Sequence, residues 1–237
     1  MTGLPSTLGL GLMCKPPRPG ATKTRLAASV GATLAARLSR AFLQDCAQAA
    51  LEAADLCQLK TMAFYRPADG GQEVGEVLGP DWPLVHADSG DLGATMLGVL
   101  RQLEERCPAG AMVMGADVPL MARTDIAAAA ECLRQGDERS VVIIPSVDGG
   151  YTLIGVRSAH VAAPLFAPMA WSTSSVLDET LARAAASGLE ATVLPPQRDI
   201  DDIQDLDWLR DRLRADPYGA SATRAALAAI TEAGSRG

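Results

Sequence analysis

LGLGLMCKPPRPGATKTRL, residues 8–26, joins an apolar run to a stiff and basic sequel, and its reading decides the fold. Leu8–Cys14 reads as a first β-strand rather than a signal peptide, because neither a basic leader nor a small-residue cleavage site accompanies it. Pro16, Pro17 and Pro19 restrict φ in the loop that follows, and Gly20 permits a conformation that a side chain would forbid. Such a loop can hold Lys15, Lys23 and Arg25 in fixed positions. A helix beginning near Thr22 would add free N–H groups facing the same way. The spacing in PGATKTR is not that of a Walker loop. Taken alone, the stretch is more simply explained as a solvated basic turn.

Outward from this stretch, short apolar runs alternate with longer alanine-rich segments. The expected strands are Leu8–Cys14, Leu59–Tyr65, Pro83–Ala87, Ala111–Gly115, Val141–Pro145, Thr152–Val156 and Ala191–Leu194. Leu34, Leu38 and Phe42 recur at i, i+4 and mark one face of a long helix, and further helices fit Leu92–Glu105, Thr124–Gln135, Ser174–Ser187 and Ile203–Leu213. This alternation predicts an α/β fold of three layers, a mostly parallel sheet with helices on both faces. A length of 237 residues with 48% hydrophobic content suits one sizeable core. We expect a single domain over 1–214 and a helical tail over 215–237.

Composition narrows the function. Five cysteines with no Cys-x-x-Cys pair suggest reduced thiols in a cytoplasmic protein. No run approaches the roughly 20 apolar residues of a membrane span. Aromatic residues make up 4% and the net charge is −7, which argues against broad nucleic-acid binding. The charge is unevenly spread. Residues 1–44 hold Lys15, Arg18, Lys23, Arg25, Arg37 and Arg40 and no acid, whereas DIDDIQDLDWLRD (199–211) holds Asp199, Asp201, Asp202, Asp205, Asp207 and Asp211. A basic and an acidic segment in one domain suit a polyanion held together with a divalent metal.

Ligands of open parallel sheets sit at the carboxyl ends of strands, and the remaining motifs fall there. VMGADVPLM (113–121) runs an apolar strand into Asp117, which could reach a metal or merely cap the next turn. Asp199 and Asp201, two apart in an extended segment, share one side, and converging carboxylates make a hard oxygen site for Mg²⁺ with phosphates. Asp202 and Asp205 also suit the first turn of a helix. In VIIPSVDGGYTLIGV (142–156) a hairpin turn explains Asp148, Gly149 and Gly150, yet the glycines would also let backbone approach a ligand beside Asp148 and Tyr151. Trp171, Ser172 and Thr173 precede a helix, where a serine or threonine could be the N-cap and the tryptophan core. His86 and His160 have no partner at a spacing that suggests chemistry.

In order and spacing, KPPRPGATKTRL, GADVPL, PSVDGGYTLIG, FAPMAWSTSSV and DIDDIQDL resemble a bacterial family of radical-SAM/selenodomain-associated transferases (type 1). The resemblance runs from about Leu8 to Leu213. It implies the nucleotide-diphospho-sugar transferase (glycosyltransferase-A) fold, and the layout is similar, more distantly, to phospholactate guanylyltransferases and molybdopterin-cofactor nucleotidyltransferases. It implies that Lys23 and Arg25, with Lys15 and Gly20, face nucleotide phosphates, and that Asp117, Asp199 and Asp201 bind Mg²⁺ or Mn²⁺. Lys23 and Asp117 would be catalytic, and Asp148, Gly149, Gly150, Tyr151, Trp171, Ser172 and Thr173 would line the substrate. Two departures stand out: Asp202 replaces a common Thr, and Ala116 interrupts the Asp-x-Asp that many sugar transferases carry. The expectation is a Mg²⁺-dependent nucleotidyltransferase moving an NMP from an NTP to a small anionic acceptor. The alternatives are a glycosyltransferase with a nucleotide-sugar donor and a non-catalytic nucleotide-binding module. Expected partners are a nucleotide and a small-molecule acceptor, with no nucleic acid and no membrane; a homodimer is left open.

Overall fold

The glycines that alternate with leucines in the first strand decide how closely helices approach the sheet. In the computed structural model, which describes residues 7–87 and 90–234, β1 (Leu8–Cys14) is buried along nearly its whole length. Leu8, Leu10 and Leu12 point into one core with Leu43, Cys46, Ala50, Ile126 and Leu133. On the other side, a Cβ on Gly9 would stand 2.9 Å from Leu103 Cβ, and one on Gly11 would stand 2.9 Å from Val99 Cγ1. A helix therefore lies directly on the strand's backbone, closer than any side chain would allow.

The other strands are β2 (Leu59–Tyr65), β3 (Leu84–His86), β4 (Ala111–Gly115), β5 (Ser140–Pro145), β6 (Tyr151–Val156) and β7 (Glu190–Val193). They form one seven-stranded sheet in the order β3-β2-β1-β4-β6-β5-β7. Every pairing is parallel except those of β6, which runs antiparallel to β4 and β5. The helices are α1 (Thr24–Val30), α2 (Ala32–Cys57), α3 (Gly71–Leu78), α4 (Leu92–Glu104), α5 (Arg123–Gln135), α6 (Val176–Ala186), α7 (Ile203–Ala215) and α8 (Ser221–Gly234). α2 and α5 cover the face that carries Leu10 and Met112, while α4 and α6 cover the face that carries Val113, Ile143 and Ile154. The three-layer expectation holds, as do the seven strands within a residue or two at each end.

The long helix stands where it was expected, as α2, and Gly31, whose φ is 85°, separates it from the short helix α1, expected near Thr22 and starting at Thr24. Two details differ from the sequence reading. α3 was not anticipated, because Gly71 and Gly75 lower its helix propensity and Gly70 and Gly79 at its two ends read as turn residues. The helix after Trp171 starts at Val176, with Ser175 as N-cap, so neither Ser172 nor Thr173 caps it.

The chain's last helix is fastened to the body. Asp45, buried on α2, accepts hydrogen bonds from Ala222 N (2.9 Å), Thr223 N (2.9 Å) and Thr223 Oγ1 (2.6 Å). A carboxylate at a helix N-terminus satisfies free N–H groups and complements the dipole. Asp45→Ala should lower unfolding free energy by about 2 kcal/mol, measured by urea titration. Amide exchange should accelerate in α8 before it does in β1 or β4.

Candidate active site

Strand order reverses between β1 and β4. The chain leaves β1 toward β2 and β3, and leaves β4 toward β6, β5 and β7. Such a reversal opens a crevice at the carboxyl ends of the two central strands. The loop after β1 and Asp117 after β4 both stand at that crevice.

The loop is shaped by its own backbone. Arg18 O accepts from Ala21 N (3.1 Å), Thr22 N (3.2 Å) and Thr22 Oγ1 (3.1 Å), and Gly20 takes a φ of 78°. Lys23 follows at φ 50° and ψ 49°, a left-handed conformation that costs a lysine on the order of 1 kcal/mol. Its side chain is only 5% exposed, and its Nζ lies 2.9 Å from Asp117 Oδ2 and 2.7 Å from Asp201 Oδ1. Arg25 also bonds Asp201. Burial alone would lower the Lys23 pKa, but Asp117 and Asp201 outweigh it and hold the ammonium charged. Burial would likewise raise Asp201, yet Lys23 and Arg25 hold its carboxyl below the usual range. The backbone joins the same two segments, since Ile200 N donates to Asp117 O at 3.0 Å.

Asp199 is held differently. Its Oδ1 accepts from Ser146 Oγ at 2.6 Å, and burial, with Asp148 and Asp201 nearby, pushes its pKa up. Asp202 and Asp205 do the helix work expected of them: Asp202 Oδ1 accepts from Gln204 N and Asp205 N at the start of α7. Among the described residues no group of three or more His, Cys, Asp or Glu side chains is placed to hold a metal ion. Asp117 and Asp201 nevertheless converge on one positive centre, and two carboxylates with phosphate oxygens suit Mg²⁺.

The substrate-lining candidates form a second group. Asp148 Oδ1 accepts from Gly150 N at 3.0 Å, so the turn reading of Asp148 is correct. Gly149 has φ 95°, and a Cβ there would stand 2.2 Å from Ser174 O, while its own carbonyl accepts from Leu177 N at 2.9 Å. This brings the 148–151 turn against the 171–175 loop. Trp171 packs on Gly93 of α4, where a Cβ would stand 2.3 Å from the indole, whereas Ser172, Thr173 and Ser174 are exposed. Burial pushes the Tyr151 phenol up, which disqualifies it as a base. Lys15 is exposed and has no ion-pair partner among the described residues. Arg18, one of the basic residues of this loop, bonds Glu73 and Asp69. Cys14 and Cys46 lie buried near Asp117; burial raises Cys14 to about 12 and raises Cys46 as well, so neither is a nucleophile.

A family model described as "Uncharacterized protein conserved in bacteria (DUF2064)" matches residues 48–173, more than half of the chain. The chain belongs to the DUF2064 family. No curated protein matches it significantly. Among solved structures, a protein of Desulfovibrio desulfuricans G20, provisionally named a nucleotide-diphospho-sugar transferase, is similar at 28% identity and a TM-score of 0.85 over 97% of this chain and 96% of that one. A nucleotidyl transferase from Methanothermobacter thermautotrophicus shares the fold at 16% identity and a TM-score of 0.58, over 88% of this chain and 99% of that one. A CMP:2-keto-3-deoxy-manno-octonic acid synthetase complexed with CTP shares it at 11% identity and a TM-score of 0.56, over 88% and 99%. The fold expected from the sequence is therefore correct. Among the described residues, no helix of this DUF2064 protein is long and apolar enough to cross a membrane.

Sequence reading missed Ser146, since one serine in a turn carries no signal until Asp199 is seen beside it. The two flanking aspartates have opposite environments, and that gives a test. The Asp199 charge is opposed by burial, so Asp199→Asn should raise the thermal midpoint at pH 7. The Asp201 charge is favoured, so it adds stability above the ordinary Asp pKa and loses it as pH falls through the lowered one. Asp201→Asn should lower the midpoint at pH 7 and match wild type in strong acid. Melting curves that move the same way for both variants would refute the assignment.

Proposed function

We propose that this DUF2064 protein is a Mg²⁺-dependent nucleotidyltransferase that moves an NMP from an NTP to a small phosphorylated or otherwise anionic acceptor. The observation that carries the reading is the Lys23 ammonium held between Asp117 and Asp201, with Arg25 alongside, at the strand-order reversal. Basic groups for a polyphosphate and carboxylates for a metal meet there within one ion-pair network.

Asp117 and Asp201 would hold the metal, with Asp199 beside them. When bound, Mg²⁺ would neutralise phosphate charge. Lys23 and Arg25, with Lys15 at the loop's open edge, would bind the triphosphate and keep the departing pyrophosphate in line. An acceptor oxygen attacks the α-phosphorus, a new P–O bond forms, and the bond to the β-phosphate oxygen breaks. An acceptor whose oxygen is already anionic needs no base, which agrees with a site that offers no histidine. Gly149 and Gly150, Asp148, Tyr151 and the exposed Ser172 and Thr173 beside Trp171 would flank the acceptor. The shared fold of the nucleotidyl transferase and the CTP-bound synthetase supports this reading.

The second reading is glycosyl transfer, favoured by the name given to the Desulfovibrio protein. The two differ in what leaves. A pyrophosphate assay over a panel of NTPs and phosphorylated acceptors should respond, and NDP release from nucleotide-sugars should not; the reverse result selects glycosyl transfer. Arg25→Ala should weaken triphosphate binding roughly tenfold or more, as the loss of a charged hydrogen bond implies. Nucleoside binding, followed by calorimetry, should stay unchanged.

A further inference from the structure

The cation that the phosphate reading leaves aside makes the most hydrogen bonds of any in the loop. Arg18 Nε donates to Glu73 Oε1 (2.8 Å) and Oε2 (3.0 Å), and Nη2 donates to Glu73 Oε2 at 2.5 Å. Nη1 donates to Asp69 Oδ2 (3.0 Å), and Nη2 also donates to the Asp69 carbonyl (3.1 Å). Glu73 lies in the first turn of α3, and Asp69 lies just before that helix. Nearly all the donors of the planar guanidinium are spent on this one segment, so Arg18 cannot turn to a phosphate without breaking its bonds to Glu73 and Asp69. A second contact locks the same surfaces: a Cβ on Gly70 would stand 2.8 Å from Pro16 Cγ.

The other end of Arg18 works on the loop itself. Its carbonyl gathers Ala21 N, Thr22 N and Thr22 Oγ1, which immediately precede the left-handed Lys23. The guanidinium is thus anchored to α3 while the carbonyl sets the turn that aims the Lys23 ammonium.

We propose that Arg18, gripped by Glu73 and Asp69, is a positioning residue that fixes where the Lys23 ammonium stands in the crevice. Its consequence for ligands rests on the phosphate reading of Lys23; its consequence for Lys23 itself does not. Glu73, held below the usual carboxylate range by Arg18, shares the role.

The test uses the full chain with Arg18→Met, Glu73→Gln, Asp69→Asn and the Arg18→Met/Glu73→Gln double variant. One readout is reductive methylation of Lys23 followed by mass spectrometry, with Lys15 and Lys60 as internal references. The other is calorimetric binding of inorganic tripolyphosphate. Arg18→Met and Glu73→Gln should each speed Lys23 labelling and weaken tripolyphosphate binding roughly fivefold or more, because a displaced group loses its geometry. Asp69→Asn should act in the same direction but less. The double variant should be no worse than either single one, because all remove one clasp. Weaker binding in Arg18→Met with stronger binding in Glu73→Gln would make Arg18 a direct phosphate ligand and overturn the proposal. Unchanged Lys23 labelling, or labelling that rises at all three lysines together, would overturn it too. If wild type fails to bind tripolyphosphate while Lys23 labelling responds as described, the phosphate reading falls and the clasp stands.

Discussion

One ammonium group holds the crevice together. Lys23 and Asp201 are 178 residues apart in sequence, and Asp117 comes from a third segment, yet Lys23 Nζ touches both carboxylates. Two aspartates this close would repel each other and draw in water, and a buried lysine alone would lose its proton. Each makes the other tolerable. The carboxylates thereby face one point, and the hydrogen bond from Ile200 N to Asp117 O keeps their backbones in register. Opposite charges that stabilise one another here are also the charges that a metal and a polyphosphate would engage.

The sheet supplies the place for this network. β1 and β4 are neighbours with parallel register from Gly9↔Ala111 to Met13↔Gly115, so the loops after them emerge side by side. The reversed strand, β6, brings the chain back after the 146–150 turn and leaves that turn at the same edge. Its reversal also allows β5 to lie next to β7, whose exit leads through Gln197 and Arg198 to Asp199 and Asp201. The acidic segment thus reaches the basic loop although they start at opposite ends of the chain.

Much of this was legible in the sequence, for identifiable reasons. Strands buried on both faces read as uninterrupted apolar runs, and Asp117 and Asp148 stand just past the ends of two of them. The convergence of Lys23 with Asp117 and Asp201 could be expected as to residue types, although not as to geometry. What stayed hidden depends on partners distant in sequence. Arg18 looks like one more loop cation until Glu73, 55 residues on, is seen against it. Asp199 and Asp201 look equivalent until Ser146 takes one and Lys23 the other. α3 was concealed by its glycines, although Gly71 is there because a Cβ would stand 2.8 Å from the Tyr65 ring.

The loop from Trp171 to Ser174 is gripped at both ends, by Gly93 of α4 against the indole and by Gly149 against the Ser174 backbone. Neither glycine leaves room for a methyl group, so the path of this loop tolerates little change in length. The side chains at 172–174 are, by contrast, exposed, although Thr173 Oγ1 donates to Ala170 O at 2.8 Å and Ser172 holds a left-handed φ of 65°. Side chains there can be exchanged on a constant backbone, whereas an insertion would break the grip at both ends. Under the proposed function, variation in acceptor preference would therefore be written as point substitutions at this rim.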